Sequence, residues 1–179
     1  ATLLGFSLSL VLGFALSAAL DFSGLVRGAV LLLLVASQTL PLVALAPLVI
    51  LWFGFGLLPK VLLVAFVTFF PITVGLVEGY AATDRDREAL LRSMGASRTR
   101  IFRSLRLPTA MPFFFAGLRI AITYAVVAAI FAEYAGSEKG LGIYMQAAKN
   151  SFRTDLVLAA VLVSAVLTLA LFALTFLIE

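Results

Sequence analysis

The chain has 179 residues, of which 63% are apolar and only 12% are charged. A globular domain averages about half apolar and roughly a quarter charged residues, so a soluble fold is excluded and a membrane protein is predicted. The absence of Cys and His excludes disulfides, thiolate or imidazole metal sites and a Ser-His-Asp triad.

Five apolar stretches predict membrane-spanning helices, and they cover residues 1–20, 26–53, 57–80, 111–134 and 156–178. The second stretch is predicted to be kinked or broken because it contains Pro41 and Pro47. A further helix is expected upstream of residue 1, which makes six in the full chain. We therefore predict an all-α, polytopic transmembrane bundle that forms a single domain over residues 1–179.

The net charge of +4 resides in one segment, residues 84–106, which holds seven Arg against three acidic residues. Lys and Arg accumulate on the cytoplasmic side of membrane proteins, so this segment is predicted to be cytoplasmic. By alternation, residues 136–154 are then external and the C-terminus is cytoplasmic. Nucleic acid is not an expected partner because the basic residues are confined to this loop.

The order within the Arg-rich segment predicts two short amphipathic helices. Gly95 suits the left-handed conformation that closes a helix, Ser97 suits the N-cap of the next, and Pro108 is expected to end the second helix. The apolar positions fall on one side of each helix. A topogenic loop lying on anionic lipid is the simpler alternative, although it needs no such order.

Gly95, followed thirteen residues later by Pro108 with Leu105 and Leu107 before it, resembles the "EAA" loop of ATP-binding-cassette importer permeases. In that pattern a Glu stands where this chain has Ala89, and the nearest acid is Glu88. The stretches PLVALAPLVILWFGFG (41–56), FFPI (69–72) and AEYAGSEKGLGIYM (132–145) extend the resemblance to the nitrate, sulfonate and thiamine-precursor permeases.

The resemblance implies a permease domain whose segment 84–108 is a cytoplasmic coupling helix in a groove on a separate ATPase subunit. It also implies a second permease subunit, most simply a homodimer, and an extracytoplasmic binding protein that faces residues 136–154. ATP and Mg are expected on the ATPase, with no cofactor in this chain, which lacks a GxxxxGK[ST] motif. The predicted coupling residues are Glu88, Leu91, Met94, Gly95, Ala96, Ser97, Arg98, Ile101, Phe102, Leu105 and Pro108.

Polar residues within the spans form a second set of candidates. The candidate pathway or gate residues are Gln38, Thr39, Thr123, Tyr124, Glu133, Tyr144 and Met145. Hydrogen bonds between helices explain the polar groups near Pro41 equally well, and an interfacial position explains Glu133. Glu78 and Arg119 are a candidate ion pair, for which snorkelling of Arg119 to the interface is the alternative. The residues of 136–154 are expected to form a short helix over the cavity, and Gly24 and Gly28 to mark a helix contact.

Three functions are compared. An importer permease is favoured, an intramembrane enzyme is disfavoured because the acids are scattered at span ends without His, and a membrane anchor or channel subunit stays open. The stretches 92–97, 113–118 and 143–152 are most similar to permeases for thiamine pyrimidine precursors. Sulfonate, nitrate or another small organic solute is the alternative substrate.

Overall fold

The computed structural model describes residues 1–22, 24–137 and 139–178, and the regular elements in that part of the chain are all helical. Backbone groups in lipid must be satisfied within the segment, which favours helices for such apolar stretches. The elements in chain order are α1 (Thr2–Phe22), α2 (Gly24–Ser37), α3 (Leu42–Phe53), α4 (Leu57–Ala81), α5 (Arg85–Ser93), α6 (Arg98–Ile101), a π-helical turn (Phe102–Arg106), α7 (Leu107–Gly136), α8 (Leu141–Asn150) and α9 (Thr154–Ile178). The predicted all-α fold is confirmed.

Four of the five predicted spans are confirmed among the described residues: α1, α4, α7 and α9 are each long and apolar enough to cross a membrane. The remaining prediction falls on α2 and α3, which together have the length and composition of either a broken span or a re-entrant loop. The two helices are bent by 96° relative to each other. The break falls at Pro41, which precedes α3, whereas Pro47 lies inside α3.

Helix α4 is the centre of the bundle and packs against α7 and α1. Half of its most apolar window is buried, compared with 6% for α9, which lies at the periphery. The contact with α7 is made by glycines: a Cβ at Gly75 would lie 2.7 Å from the Phe113 carbonyl oxygen, and one at Gly117 would lie 2.4 Å from the Pro71 carbonyl oxygen. The two backbones therefore touch, as small residues allow in membrane helices.

Helix α1 packs on α4 through a second stripe of small residues. The stripe consists of four buried residues spaced four positions apart along α1, namely Gly5, Ser9, Gly13 and Ser17. The hydroxyl oxygens of Ser9 and Thr68 lie 2.8 Å apart in this contact. The predicted contact at Gly28 is wrong, because a Cβ there would meet nothing within 4 Å.

The expectation that Pro108 ends a helix is also wrong. Residues Arg98–Gly136 form one continuous helix of 39 residues, and Pro108 lies in the first turn of α7. The π-helical turn just before it explains the tolerance: Leu107 donates its backbone N–H to the Phe102 carbonyl oxygen, five residues earlier. The backbone has already left the ordinary hydrogen-bond pattern there, so the missing N–H of the proline costs little.

The helix ends gather at two opposite ends of the bundle. Asp21, at the end of α1, pairs with Arg106, so this end also holds the Arg-rich segment. At the other end, a Cβ at Gly136 would lie 2.7 Å from the Phe55 ring, which places the α3–α4 turn beside the end of α7. The predicted alternation agrees with this arrangement. The candidate external segment 136–154 includes Glu138, which lies outside the described residues.

Candidate functional site

The Arg-rich segment forms the two helices that the sequence predicts. Asp84 begins α5 and accepts hydrogen bonds from the backbone N–H groups of Asp86 and Arg87. Gly95 has a φ of +79°, and the Ser97 side chain accepts the N–H of Arg100 to cap α6. The predicted order of helix, break and helix is therefore confirmed. The break is made by Gly95, which ends α5, and by Ser97, which caps α6.

A cluster of charged side chains ties this segment to the bundle. Arg106 donates a hydrogen bond from one guanidinium nitrogen to Asp21 of α1. The other guanidinium nitrogen donates to the Oε2 of Glu88 of α5 at 2.8 Å. The second Glu88 oxygen accepts from Arg92 at 2.5 Å. The side chains of Asp21, Glu88 and Arg106 are 6%, 13% and 24% exposed, so a partly buried guanidinium joins three elements.

The hydrogen bond from Arg106 lowers the pKa of Glu88 below its ordinary value of 4.5, and Arg92 adds to the effect. Because the pKa is lower in the folded protein, the stabilisation is complete above the ordinary value. It is lost as the pH falls through the lowered pKa. The cluster is therefore intact at neutral pH.

The apolar residues predicted to contact a partner divide into two groups. Ile101 is buried, and the Phe102 ring packs on Tyr80 and Phe22 at 5.2 and 5.6 Å between ring centroids. These two side chains hold the segment against the bundle, so they do not belong to its outward surface. Met94 is 74% exposed.

Leu90 falls on the same apolar side of the predicted helix as Leu91 and Met94 but is not among the predicted coupling residues, and it is 61% exposed. Its spacing of four residues from Met94 was the signal that could have added it to that set. Leu91, Ala96 and Leu105 are half-buried, whereas Gly95, Ser97, Arg98 and Pro108 are exposed. The outward surface therefore combines Leu90 and Met94 with the exposed basic residues Arg85, Arg87, Arg98, Arg100 and Arg103.

A groove of about 690 Å³ lies between the α2–α3 break, α4 and α7. Most of its lining is apolar, with five aromatic side chains: Phe66, Phe70, Phe113, Tyr124 and Phe131. The α7 residues of the lining recur every three or four positions, so one face of that helix forms a wall. Three non-aromatic polar side chains, Ser37, Gln38 and Glu78, also line the groove.

The structure brings some of the predicted pathway residues to the groove and leaves others away from it. Gln38 and Tyr124 line it, as does Glu78, which the sequence assigned to an ion pair. The Thr39 and Thr123 hydroxyls instead donate to carbonyl oxygens of their own helical turns. Back-bonding of this kind is the common fate of hydroxyls in helices.

Glu133 fastens α8 to the end of α7. Its Oε2 accepts the backbone N–H of Gly142 at 2.7 Å, in the first turn of α8. A carboxylate at a helix N-terminus is favourable. The predicted short helix is therefore present, but it packs on α7, and its residues Tyr144 and Met145 do not line the groove.

The structure does not bring Glu78 and Arg119 together as an ion pair. Gly75 and Gly79 of α4 pack against Phe113 and Ala110 of α7, so Glu78 is level with that part of α7. Arg119 lies further along α7, with its guanidinium 4.6 Å from the centroid of the Phe176 ring on α9. The two side chains are therefore at different depths and have different surroundings.

Comparison with known proteins defines the class of this helical bundle. Residues 9–179 match the model of the binding-protein-dependent transport system inner membrane component. The chain belongs to this family. It is a multi-pass permease subunit of an ATP-binding-cassette importer, a membrane transport component.

Three relatives show the range of the similarity. The chain is 40% identical to the formylaminopyrimidine transport permease protein ThiX of Halalkalibacterium halodurans over 95% of this chain and 68% of that protein. It is 38% identical to the riboflavin transport system permease protein RibX of Chloroflexus aurantiacus, over 82% and 54%. It is 30% identical to the taurine transport system permease protein TauC of Escherichia coli, over 91% and 59%.

Proposed function

We propose that this permease domain imports a small heteroaromatic solute, a thiamine pyrimidine precursor such as formylaminopyrimidine or a related compound. A separate ATPase, which carries ATP and Mg, drives the import. The proposed assembly has two copies of the chain, two ATPase subunits and an extracytoplasmic binding protein. Sulfonate and nitrate are the alternative substrates within the same architecture.

The observation that carries the coupling proposal is the outward surface of α5 and α6. Leu90 and Met94 are exposed apolar side chains surrounded by exposed arginines. A contact of this kind fits an apolar groove with an acidic rim on a partner. Arg106 joins the same segment to α1 and leads directly into α7, so displacement of the loop reaches the helices that line the groove.

A membrane anchor or channel subunit needs no such connection. An anchor needs only a charged loop on lipid. It does not need ion pairs from Arg106 to Asp21 and Glu88 that join the loop to the bundle. The partner is therefore proposed to be an ATPase on the cytoplasmic side, with segment 84–108 as the coupling region. The binding protein is proposed to meet the opposite end, which holds α8.

Reconstitution with the ATPase and binding protein tests this function. We expect ATP-dependent uptake of formylaminopyrimidine by the wild-type protein and its loss in Gly95→Val, because a β-branched residue resists a φ of +79°. A Cβ at Gly95 meets nothing within 4 Å, so the effect is on the backbone and not on packing.

Gly95→Asn is the matched control, because Asn tolerates the left-handed conformation, and we expect it to keep most of the uptake. ATP hydrolysis and ATPase binding are measured in parallel. Unchanged uptake in Gly95→Val would contradict the proposed role of the break. Absence of ATP-dependent uptake in the wild-type protein, with every candidate solute, would contradict the function itself.

The proposed orientation is tested by thiol labelling in intact cells, since the chain has no native Cys. We expect Lys139→Cys to react with an impermeant reagent from outside and Ser97→Cys to react only after permeabilisation. Both native residues are exposed, so access and not burial decides the reaction. The reverse pattern would invert the topology.

A further inference from the structure

We infer that the groove selects flat nitrogen heteroaromatic solutes that are neutral or cationic, and that Glu78 sets this charge preference against anions such as aliphatic sulfonates. The inference rests on the proposed function, since it takes the groove as part of the import pathway. It narrows the proposed substrate class by the charge and the aromatic character of the residues that line the groove.

The charge on the wall is negative. Glu78 lies near the end of α4, and its exposed side chain lines the groove. Of the described residues that line the groove, none is Lys or Arg. A carboxylate beside apolar walls repels an anion and attracts a cation more strongly than it does in bulk water.

Two cations of the membrane helices, Arg27 and Arg119, lie outside the lining of the groove. The Arg27 guanidinium of α2 donates to the Val77 carbonyl oxygen at 3.1 Å, and the Arg119 guanidinium lies against the Phe176 ring. An anionic solute in the groove would therefore meet no cationic side chain among the described lining residues.

The remaining wall fits a flat ring. Aromatic side chains from both α4 and α7 line the groove, with Phe66 and Phe70 on α4 facing the space that Phe113, Tyr124 and Phe131 of α7 also line. Such rings stack on planar heterocycles and attract cations through their faces. The Gln38 amide offers both a donor and an acceptor for ring nitrogens and amino groups. The groove volume of about 690 Å³ lies in the range of binding sites for small molecules.

Charge-selective thiol labelling tests the electrostatic part without any substrate. Val74→Cys, one helical turn from Glu78 on the same wall of the groove, is treated with methanethiosulfonate reagents that carry a trimethylammonium or a sulfonate group, in the assembled transporter in membranes. Each rate is divided by that of a free thiol in solution. We expect the cationic reagent to react roughly fivefold to tenfold faster, and the preference to vanish when Glu78→Gln is added.

Phe113→Cys, on the α7 side of the groove and level with Glu78, provides a second reporter in case the first variant does not assemble. Glu133→Gln is the matched control, because that carboxylate lies outside the groove lining and holds α8. We expect it to leave the labelling preference unchanged. Equal rates for the two reagents with Glu78 present, or a preference that survives Glu78→Gln, would overturn the inference.

Uptake by the complete importer tests the substrate part. We expect Glu78→Gln to lower formylaminopyrimidine import severalfold and to leave ATPase binding unchanged. Import of an aliphatic sulfonate by the wild-type protein in preference to the pyrimidine would overturn the substrate class. Complete absence of import with an intact labelling preference would contradict the proposed function and not the charge of the groove.

Discussion

Replacement of Arg106 by Gln is expected to abolish most ATP-driven uptake while the chain still inserts in the membrane. Its guanidinium separates Asp21 from Glu88, and both carboxylates are largely shielded from water. Removing the cation leaves two acidic groups uncompensated. Breaking a buried pair in this way costs about 3 kcal/mol or more. The measurement is ATPase co-purification together with uptake in proteoliposomes.

Arg106→Lys is expected to recover little of the loss, because an ammonium is a point charge and lacks the planar fork that contacts two carboxylates at once. Arg103→Gln removes the same charge from the same π-helical turn, but Arg103 is exposed on the outward surface and forms none of the ion pairs of this cluster, so we expect a clearly smaller loss from weaker docking alone. Equal losses in Arg103→Gln and Arg106→Gln would show that total positive charge matters and that the cluster does not.

Gly117→Ala is expected to destabilise the bundle strongly although it adds one methyl group. That carbon would lie 2.4 Å from the Pro71 carbonyl oxygen, and the atom it meets is backbone and unable to rotate away. Helices α4 and α7 must therefore separate along the contact that forms the core. Overpacking of this kind costs about 1–3 kcal/mol, and thermal unfolding in detergent measures it.

Gly28→Ala is the control for the intrinsic preference of Ala over Gly in a helix, which favours Ala by about 1 kcal/mol. Nothing lies within 4 Å of a Cβ at Gly28, so this variant is expected to be as stable as the wild-type protein or slightly more stable. The two variants thus shift the unfolding temperature in opposite directions. A Gly117→Ala protein as stable as Gly28→Ala would mean that the two helices are not in backbone contact.

The spans and the order of the Arg-rich loop could be predicted from the sequence, because they depend on local properties. Apolar length defines a span, and a glycine followed by a capping serine defines the break at Gly95 and Ser97. The continuation through Pro108 could not be predicted in this way. It depends on a π-helical turn, which has no clear local sequence signal.

The candidate site was harder to predict because its residues come from distant parts of the chain. Arg106 and Asp21 are 85 positions apart, and only the packing of α1 on α4 and of α4 on α7 brings them together. Phe102 and Met94 both read as apolar positions on amphipathic helices, yet one lies inside and the other outside. The stripe from Gly5 to Ser17 and the Gly75–Gly79 pair carried a readable signal for close helix contacts.

The continuous helix from Arg98 to Gly136 has a mechanical consequence. At 1.5 Å per residue it is ~58 Å long, enough to join both faces of the membrane in one body. Its first turns belong to the proposed coupling region, and its middle turns form a wall of the groove. Its last turns hold α8 through Glu133. If the proposed coupling contact tilts this helix as a rigid body, its two ends move in opposite directions. We therefore expect the groove to open toward one face of the membrane as it closes toward the other.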